Sequence, residues 1–218
     1  MTPLSVSLRV VALALAFVIP IGGALGLFLA RGRGALRSVV DALVLIPLVL
    51  PPSVVGYLLL VLFGRQGAIG GALERAFGVR LVFSTAGAAL ATASVALPLM
   101  AKGAEAAFAR VDHALEEVAL ANGLRPLATF RLVTLPLALP GLGVAVTLAA
   151  VRALGEFGAT LTFAGYVPDR TGTAPLEVYF AMQLGDDARA LHISLVLVAA
   201  SVAAALLLRA WGKAGARA

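Results

Sequence analysis

Five stretches of the chain are almost unbroken runs of apolar residues, at positions 6–30, 39–63, 83–100, 135–154 and 191–208. A helix that crosses a hydrocarbon core needs ~20 such residues, so the pattern predicts about five transmembrane helices. Two shorter stretches, 157–166 and 174–184, cannot span unaided and read as interfacial or re-entrant segments; a sixth span results if one of them enters the bilayer. Between the runs no polar linker, low-complexity tract or repeat marks a boundary, so residues 1–218 are expected to form one transmembrane domain. The first run is too long for a signal-peptide core, and no A-x-A-like site precedes the arginines after it, so it reads as a retained helix. Gly22, Gly23, Gly26 and the many alanines are expected to let helices pack closely.

Composition agrees with the pattern. Hydrophobic residues make up 61% of the chain and charged residues 13%, against roughly 25% charged in soluble domains. The mean hydropathy is +1.02. A net charge of +6 is compatible with nucleic-acid binding, but the basic residues are not interleaved with aromatics. They stand at the ends of the apolar runs, where they set orientation. One side carries Arg31, Arg33, Arg37, Lys102, Arg110, Arg125, Arg131, Arg209, Lys213 and Arg217, and the other Arg65, Arg75, Arg80, Arg170 and Arg189. Ten against five places the first set in the cytoplasm, the N-terminus outside and the C-terminus inside.

Several chemistries are excluded. Cysteine is absent, which removes disulfides, thiolate metal sites and Cys nucleophiles. No Gly-rich loop ends in Gly-Lys-Ser/Thr, so the chain carries no ATPase site of its own. His113 and His192 lack partners at metal-ligand spacing, and neither a G-x-S-x-G elbow nor an H-E-x-x-H helix occurs. No catalytic residue and no bound metal or cofactor are expected.

The stretch 102–134 reads as a cytoplasmic loop and is the most informative part of the chain. Asp112 is a suitable N-cap for a short helix running to about Ala121, Gly123 is a suitable stop, and Arg125 and Pro126 follow as a turn. Ala119, Ala121 and Gly123 are small enough for another protein surface to approach the backbone, and Glu116 and Glu117 add charge for register. His113 beside this helix reads as solvated. The whole reads as a docking element rather than a connector; the plainer alternative is a surface helix.

The pattern Glu117-x-Ala119, three residues, Gly123, nine residues, then Val133-x-Leu135-Pro136 resembles the cytoplasmic signature loop of ABC-importer permeases. Val118 and Val133 stand where that family usually has Ala and Ile, both conservative departures. Two further segments, 45–57 continued by 63–67, and 152–163, resemble molybdate permeases, the second also sulfate permeases. The resemblance covers most of 39–184. It implies an all-α, type I ABC-importer permease fold in a cell inner membrane, with the short helix as a coupling helix that sits in a groove of a separate ATPase subunit. It further implies a permease homodimer, two cytoplasmic ATPase subunits that use ATP and Mg, and an external oxyanion-binding protein. Molybdate is the expected cargo, with tungstate, sulfate and thiosulfate as alternatives.

Two features suggest a pathway. Pro47, Pro51 and Pro52 fall inside the second run, where they predict a kink or break. A half-helix starting near Ser53 would then turn its free N–H groups toward an anion; a packing kink is the alternative. Arg152 and Glu156 are four apart near the outer end of the fourth run, spaced to share a helix face and pair. Either they meet the ion in transit or they form a structural ion pair. Ser53, Thr160 and Thr162 offer neutral hydroxyls, although such groups commonly bond to their own helix backbone. The rival classes are a secondary transporter, which needs matching inverted repeats, and an intramembrane enzyme, which needs convergent acids or histidines within the spans.

Overall fold

A computed structural model describes residues 2–215, and every regular element among them is helical. Arg217, counted above among the basic residues of one side, lies outside the described residues, as does the side chain of Lys213. Helix α1 (Pro3–Arg31) starts at Thr2, whose hydroxyl accepts from the Ser5 N–H, with Pro3 in the first turn where its missing donor does no harm. Helix α5 (Thr85–Ala109) is capped by Ser84, whose Oγ accepts from the Gly87 N–H at 3.0 Å. It is the centre of the bundle: its membrane window is 56% buried, against 11% for α11 (Asp187–Gly215). It packs on α1, on α8 (Leu135–Leu154) and on α9 (Gly158–Ala164).

Small residues make that packing close. A Cβ placed on Gly26 of α1 would lie 2.4 Å from the Ala104 Cβ, and one on Gly103 of α5 would lie 2.6 Å from the Ala145 Cβ. The backbones therefore touch, and the core between the three helices is lined by Ala96, Ala104, Ala107, Ala145 and Ala149 around Met100 and Phe108. Lipid tails are as apolar as leucine, so helix association in a bilayer rests on such van der Waals contact rather than on hydrophobic exclusion. Gly22 and Gly26 fulfil the expected packing role, whereas Gly23 faces open space.

Among the described residues four helices are long and apolar enough to cross a membrane, and a fifth span is obtained by counting α2 (Ala35–Val49) with α3 (Pro52–Phe63). That pair breaks where the prolines predict, and it turns by 113°. Leu50, pushed out of helical geometry by the following proline, sits at φ −72°, ψ 145°, and Pro51 is likewise extended. Pro47 stays inside α2, and Pro52 opens α3.

The structure corrects the reading of 102–134 as a loop. Helix α5 continues to Ala109 because 101–109 is rich in alanine and its charges find partners: Lys102 reaches Asp41 of α2 at 2.9 Å and also bonds Glu105 one turn on, while Glu105 accepts from Arg37 at 2.7 Å. Arg125 and Pro126 form a helix start rather than a turn. Helix α7 (Pro126–Thr129) runs through a π turn (Phe130–Thr134) into α8 as one 29-residue helical stretch. The Leu135 N–H reaches back to the Phe130 carbonyl, and the widening lies where Pro136 has neither a donor nor room for the carbonyl of Leu132. One further helix, α4 (Ala68–Phe77), occupies the connection between α3 and α5 that the hydropathy pattern left unstructured. It ends at Gly78 in the left-handed conformation, with Glu74 held by Arg80 at 2.7 Å. The two short stretches become α9 and α10 (Ala174–Gln183), both too short to span.

Candidate functional site

Two regions carry the residues singled out above. The first is α6 (His113–Ala121), at the end of the bundle where α1 finishes and the α7–α8 helix begins. Asp112 caps it, with Oδ1 accepting from the Ala114 N–H at 2.9 Å. Gly123 terminates it at φ +87°, and the N–H groups of Gly123 and Leu124 return to the carbonyls of Leu120 and Ala119. The helix buries none of its residues. Leu115, Val118 and Leu120 are 48%, 59% and 45% exposed, and Glu117, Gly123 and Pro136 also face outward. Ala119 and Leu135 are half-buried.

Glu116 behaves differently from its neighbour. Successive helical residues point ~100° apart, and Glu116 turns inward to accept from Arg31 Nη2 at 2.7 Å and from the Thr134 hydroxyl. The His113 ring is exposed, as expected, and it also lies against the same Arg31 guanidinium and 3.6 Å from the second Glu116 oxygen. In the sequence Arg31 stands out only as a topology charge, and Thr134 only as the unspecified position of the Val133-x-Leu135-Pro136 pattern. Nothing in their spacing reveals the cluster, since Arg31 and Glu116 meet across 85 residues.

The second region surrounds the start of α9. Arg152 lies in the last turn of α8, which stops at Leu154, so Glu156 is beyond the helix rather than on its face. The pair forms nonetheless, with Arg152 Nη2 2.8 Å from Glu156 Oε2. Glu156 is 2% exposed, and its Oε1 accepts from the Ala159 N–H at 2.8 Å, capping α9. The Oε2–Arg152 contact is an ion pair without hydrogen-bond alignment, which leaves that oxygen with no hydrogen-bond donor. A buried carboxylate is tolerated here because a guanidinium and a helix N-terminus both oppose its charge.

Helix α3 lies against the same turn. A Cβ on Gly56 would be 2.7 Å from the Ala159 carbonyl oxygen, and one on Gly158 would be 3.2 Å from both the Pro52 Cβ and the Ser53 nitrogen. The chain thus brings Pro52 and Ser53 to α9, together with Glu156, although the two segments are far apart in sequence. Pro51 and Ser53 are exposed. Thr162 bonds to its own helix at the Gly158 carbonyl, 2.9 Å away, as membrane hydroxyls commonly do. Thr160 is fully buried, with its hydroxyl 3.5 Å from that of Thr92 on α5. Among the described residues no cluster of three or more His, Cys, Asp or Glu side chains is placed to hold a metal ion.

Comparison with known proteins follows the same lines. Residues 22–214 match the family described as binding-protein-dependent transport system inner membrane component. The molybdenum transport system permease protein ModB of Escherichia coli is 40% identical over 206 residues, which is 94% of this chain and 90% of that protein. ModB of Mycobacterium tuberculosis is 45% identical over 202 residues, 92% of this chain and 76% of that protein. A probable molybdenum ABC transporter permease of Haloferax volcanii is 42% identical over 200 residues, 91% and 69% of the two chains. Among solved structures, an amino acid ABC transporter crystallised with histidines superposes with a TM-score of 0.64 over 99% of this chain and 92% of that one; at 16% identity the likeness is one of fold. An all-helical bundle with a broken second span, matched along nearly its whole length by these permeases, leaves one assignment: the chain belongs to the binding-protein-dependent transport system inner membrane components, the multi-pass permease subunits of ABC transporters.

Proposed function

We propose that this chain is the permease subunit of an ATP-driven importer that moves molybdate, and tungstate with it, into the cytoplasm. The observation that carries the cargo is the 36–45% identity to molybdenum transport permeases over most of the chain. The chain supplies the passage, and ATP with its magnesium is used by a separate ATPase subunit. Helix α6 docks on that subunit. Its exposed Leu115, Val118 and Leu120, with Glu117, Ala119 and Gly123 beside them, offer an apolar patch with a charged rim, which is the make-up of a protein interface. Leu135 and Pro136, at the start of α8 beside the π turn, couple that surface to the span.

A second copy completes the passage, giving a homodimer with two ATPase subunits below and an oxyanion-binding protein above. The exposed apolar side chains of α2 and α3, Val49 at 80% and Tyr57 at 58%, suit such a contact. An orientation with α6 in the cytoplasm and the N-terminus outside is supported by the excess of basic residues in the α1–α2 and α5–α8 connections. Around the turn of α9, Pro51, Pro52, Ser53, Arg152, Glu156, Thr160 and Thr162 form the gate region. Arg152 is held there by Glu156, so that a passing anion meets a charge already half-neutralised and does not bind tightly.

Uptake of labelled molybdate, tungstate and sulfate by cells carrying this chain, its ATPase and its binding protein tests the cargo. Molybdate uptake, competed by tungstate and not by sulfate, is expected. Uptake of sulfate alone overturns the cargo, and uptake without the ATPase overturns the class.

A further inference from the structure

Helix α6 has no buried residue, so apolar packing does not fix its direction. It packs on α7 and the π turn that follow it in sequence. Among the described residues, the side-chain bonds that tie it across the fold to α1 all run through Arg31. Arg31, the last residue of α1, donates to Glu116 at 2.7 Å with its guanidinium also against His113. The same Glu116 oxygen accepts from Thr134, the last residue of the π turn and the one directly before α8. Glu116 and Arg31 are both largely shielded, their side chains 18% and 22% exposed, and Thr134 is buried. A shielded, charge-assisted bond is stronger than an exposed one and holds one geometry.

We infer that Glu116 is a positioning residue: it makes α6, the end of α1 and the foot of α8 move as one body, so that displacement of a docked α6 reaches the spans. The inference rests on the docking reading above. Glu117, one residue on and pointing outward, contacts the partner, while Glu116 passes the displacement inward. Two routes leave this hub. One runs up α1, whose glycine face is locked onto α5. The other runs along α8 to Arg152, which pairs with Glu156, the cap of α9 where it packs on α3. A rigid helix carries displacement along its length, and the π turn, the one non-α segment in this run, is clamped by the Thr134–Glu116 bond.

The test uses the full complex of this chain, its ATPase and its binding protein in proteoliposomes, reading molybdate transported per ATP hydrolysed together with retention of the ATPase on the purified permease. Glu116→Ala is expected to keep the ATPase bound and hydrolysing but to lower the transport ratio about tenfold, within the range that couplings between distant sites span. The reciprocal exchange, Arg31→Glu with Glu116→Arg, rebuilds the tie and restores at least half of the ratio, which a merely structural residue does not predict. Thr134→Val, nearly isosteric and safe for folding, lowers the ratio about threefold. An unchanged ratio in Glu116→Ala or Thr134→Val overturns the inference, as does an exchange no better than its single variants or loss of the bound ATPase in Glu116→Ala. Failure of the unaltered chain to bind an ATPase sinks the docking reading itself and this inference with it; a coupled parent with unaffected variants sinks the inference alone.

Discussion

Gly123→Asp separates docking from folding more cleanly than other changes in α6. Gly123 closes the helix at φ +87°, and among the described residues nothing beyond its own stretch of chain lies within 4 Å of where a Cβ would stand. A side chain there meets no steric obstacle. The cost within the permease is the left-handed backbone, about 1 kcal/mol and less for Asp or Asn, which enter that region more readily than other residues. The returns of the Gly123 and Leu124 N–H groups to Leu120 and Ala119 survive, so α6 keeps its end. On the proposed docking, the same side chain would be driven into the partner surface at the Gly123 backbone, with an unpaired carboxylate taken out of water. Loss of one well-packed interface position costs about 2 kcal/mol, or roughly thirtyfold in affinity. Titration of purified ATPase against the detergent-solubilised permease measures it. Gly123→Asn, with the same backbone tolerance and no charge, serves as the control and is expected to lose less. An Asp variant with an unchanged melting temperature and an unchanged ATPase affinity refutes the assignment of this tip to the interface.

The remaining predictions concern the bundle and its far end. Gly26→Val forces a side chain onto the Ala104 Cβ, the Ala101 carbonyl and the Glu105 nitrogen, all within 2.7 Å of its Cβ, and destabilises the α1–α5 pair by at least about 2 kcal/mol. Gly23→Ala, one turn away in open space, is neutral or stabilising by up to about 1 kcal/mol, and thermal unfolding in detergent distinguishes the two. Glu156→Gln keeps the acceptor for Ala159 but leaves Arg152 without its counter-charge, lowering stability by about 1–3 kcal/mol; an unchanged melting temperature contradicts the ion-pair geometry. Outside the spans, burial and then the bond to Glu177 raise the Tyr166 phenol above its ordinary 10.0, so the folded state favours the neutral ring. That stability is fully present below pH 10.0 and is lost as pH rises through the raised value, a loss that Tyr166→Phe removes from an alkaline unfolding titration.

What could be read from the chain divides along physical lines. Spans were legible because ~20 apolar residues in a row have few alternatives. Local signals were legible too: Asp112 and Gly123 bracket α6 as read, and the break at Pro51 follows from a missing donor and a crowded neighbour. The limits of α5 were not, because Lys102 and Glu105 look like loop residues until Asp41 and Arg37, more than 60 positions away, supply their partners. The same holds for Glu116, whose inward turn depends on Arg31. At the turn before α9 the pairing of Arg152 with Glu156 was readable from spacing. Its role as the cap of α9 was not, since the helix had to end at Leu154 first. The approach of α3 to α9 rests on Gly56 and Gly158, whose lack of side chains carries no sign of which backbone they touch.

The central claim is that α6 joins the passage to an ATPase. Reconstituting the chain with its ATPase subunit in vesicles and adding the molybdate-loaded binding protein tests it most directly, with ATP hydrolysis and ion accumulation read together. Hydrolysis is expected to rise with the loaded protein, molybdate to accumulate only when ATP is present, and both to fail in Gly123→Asp. Molybdate accumulation in vesicles that lack the ATPase, or hydrolysis indifferent to the Gly123 substitution, contradicts that claim.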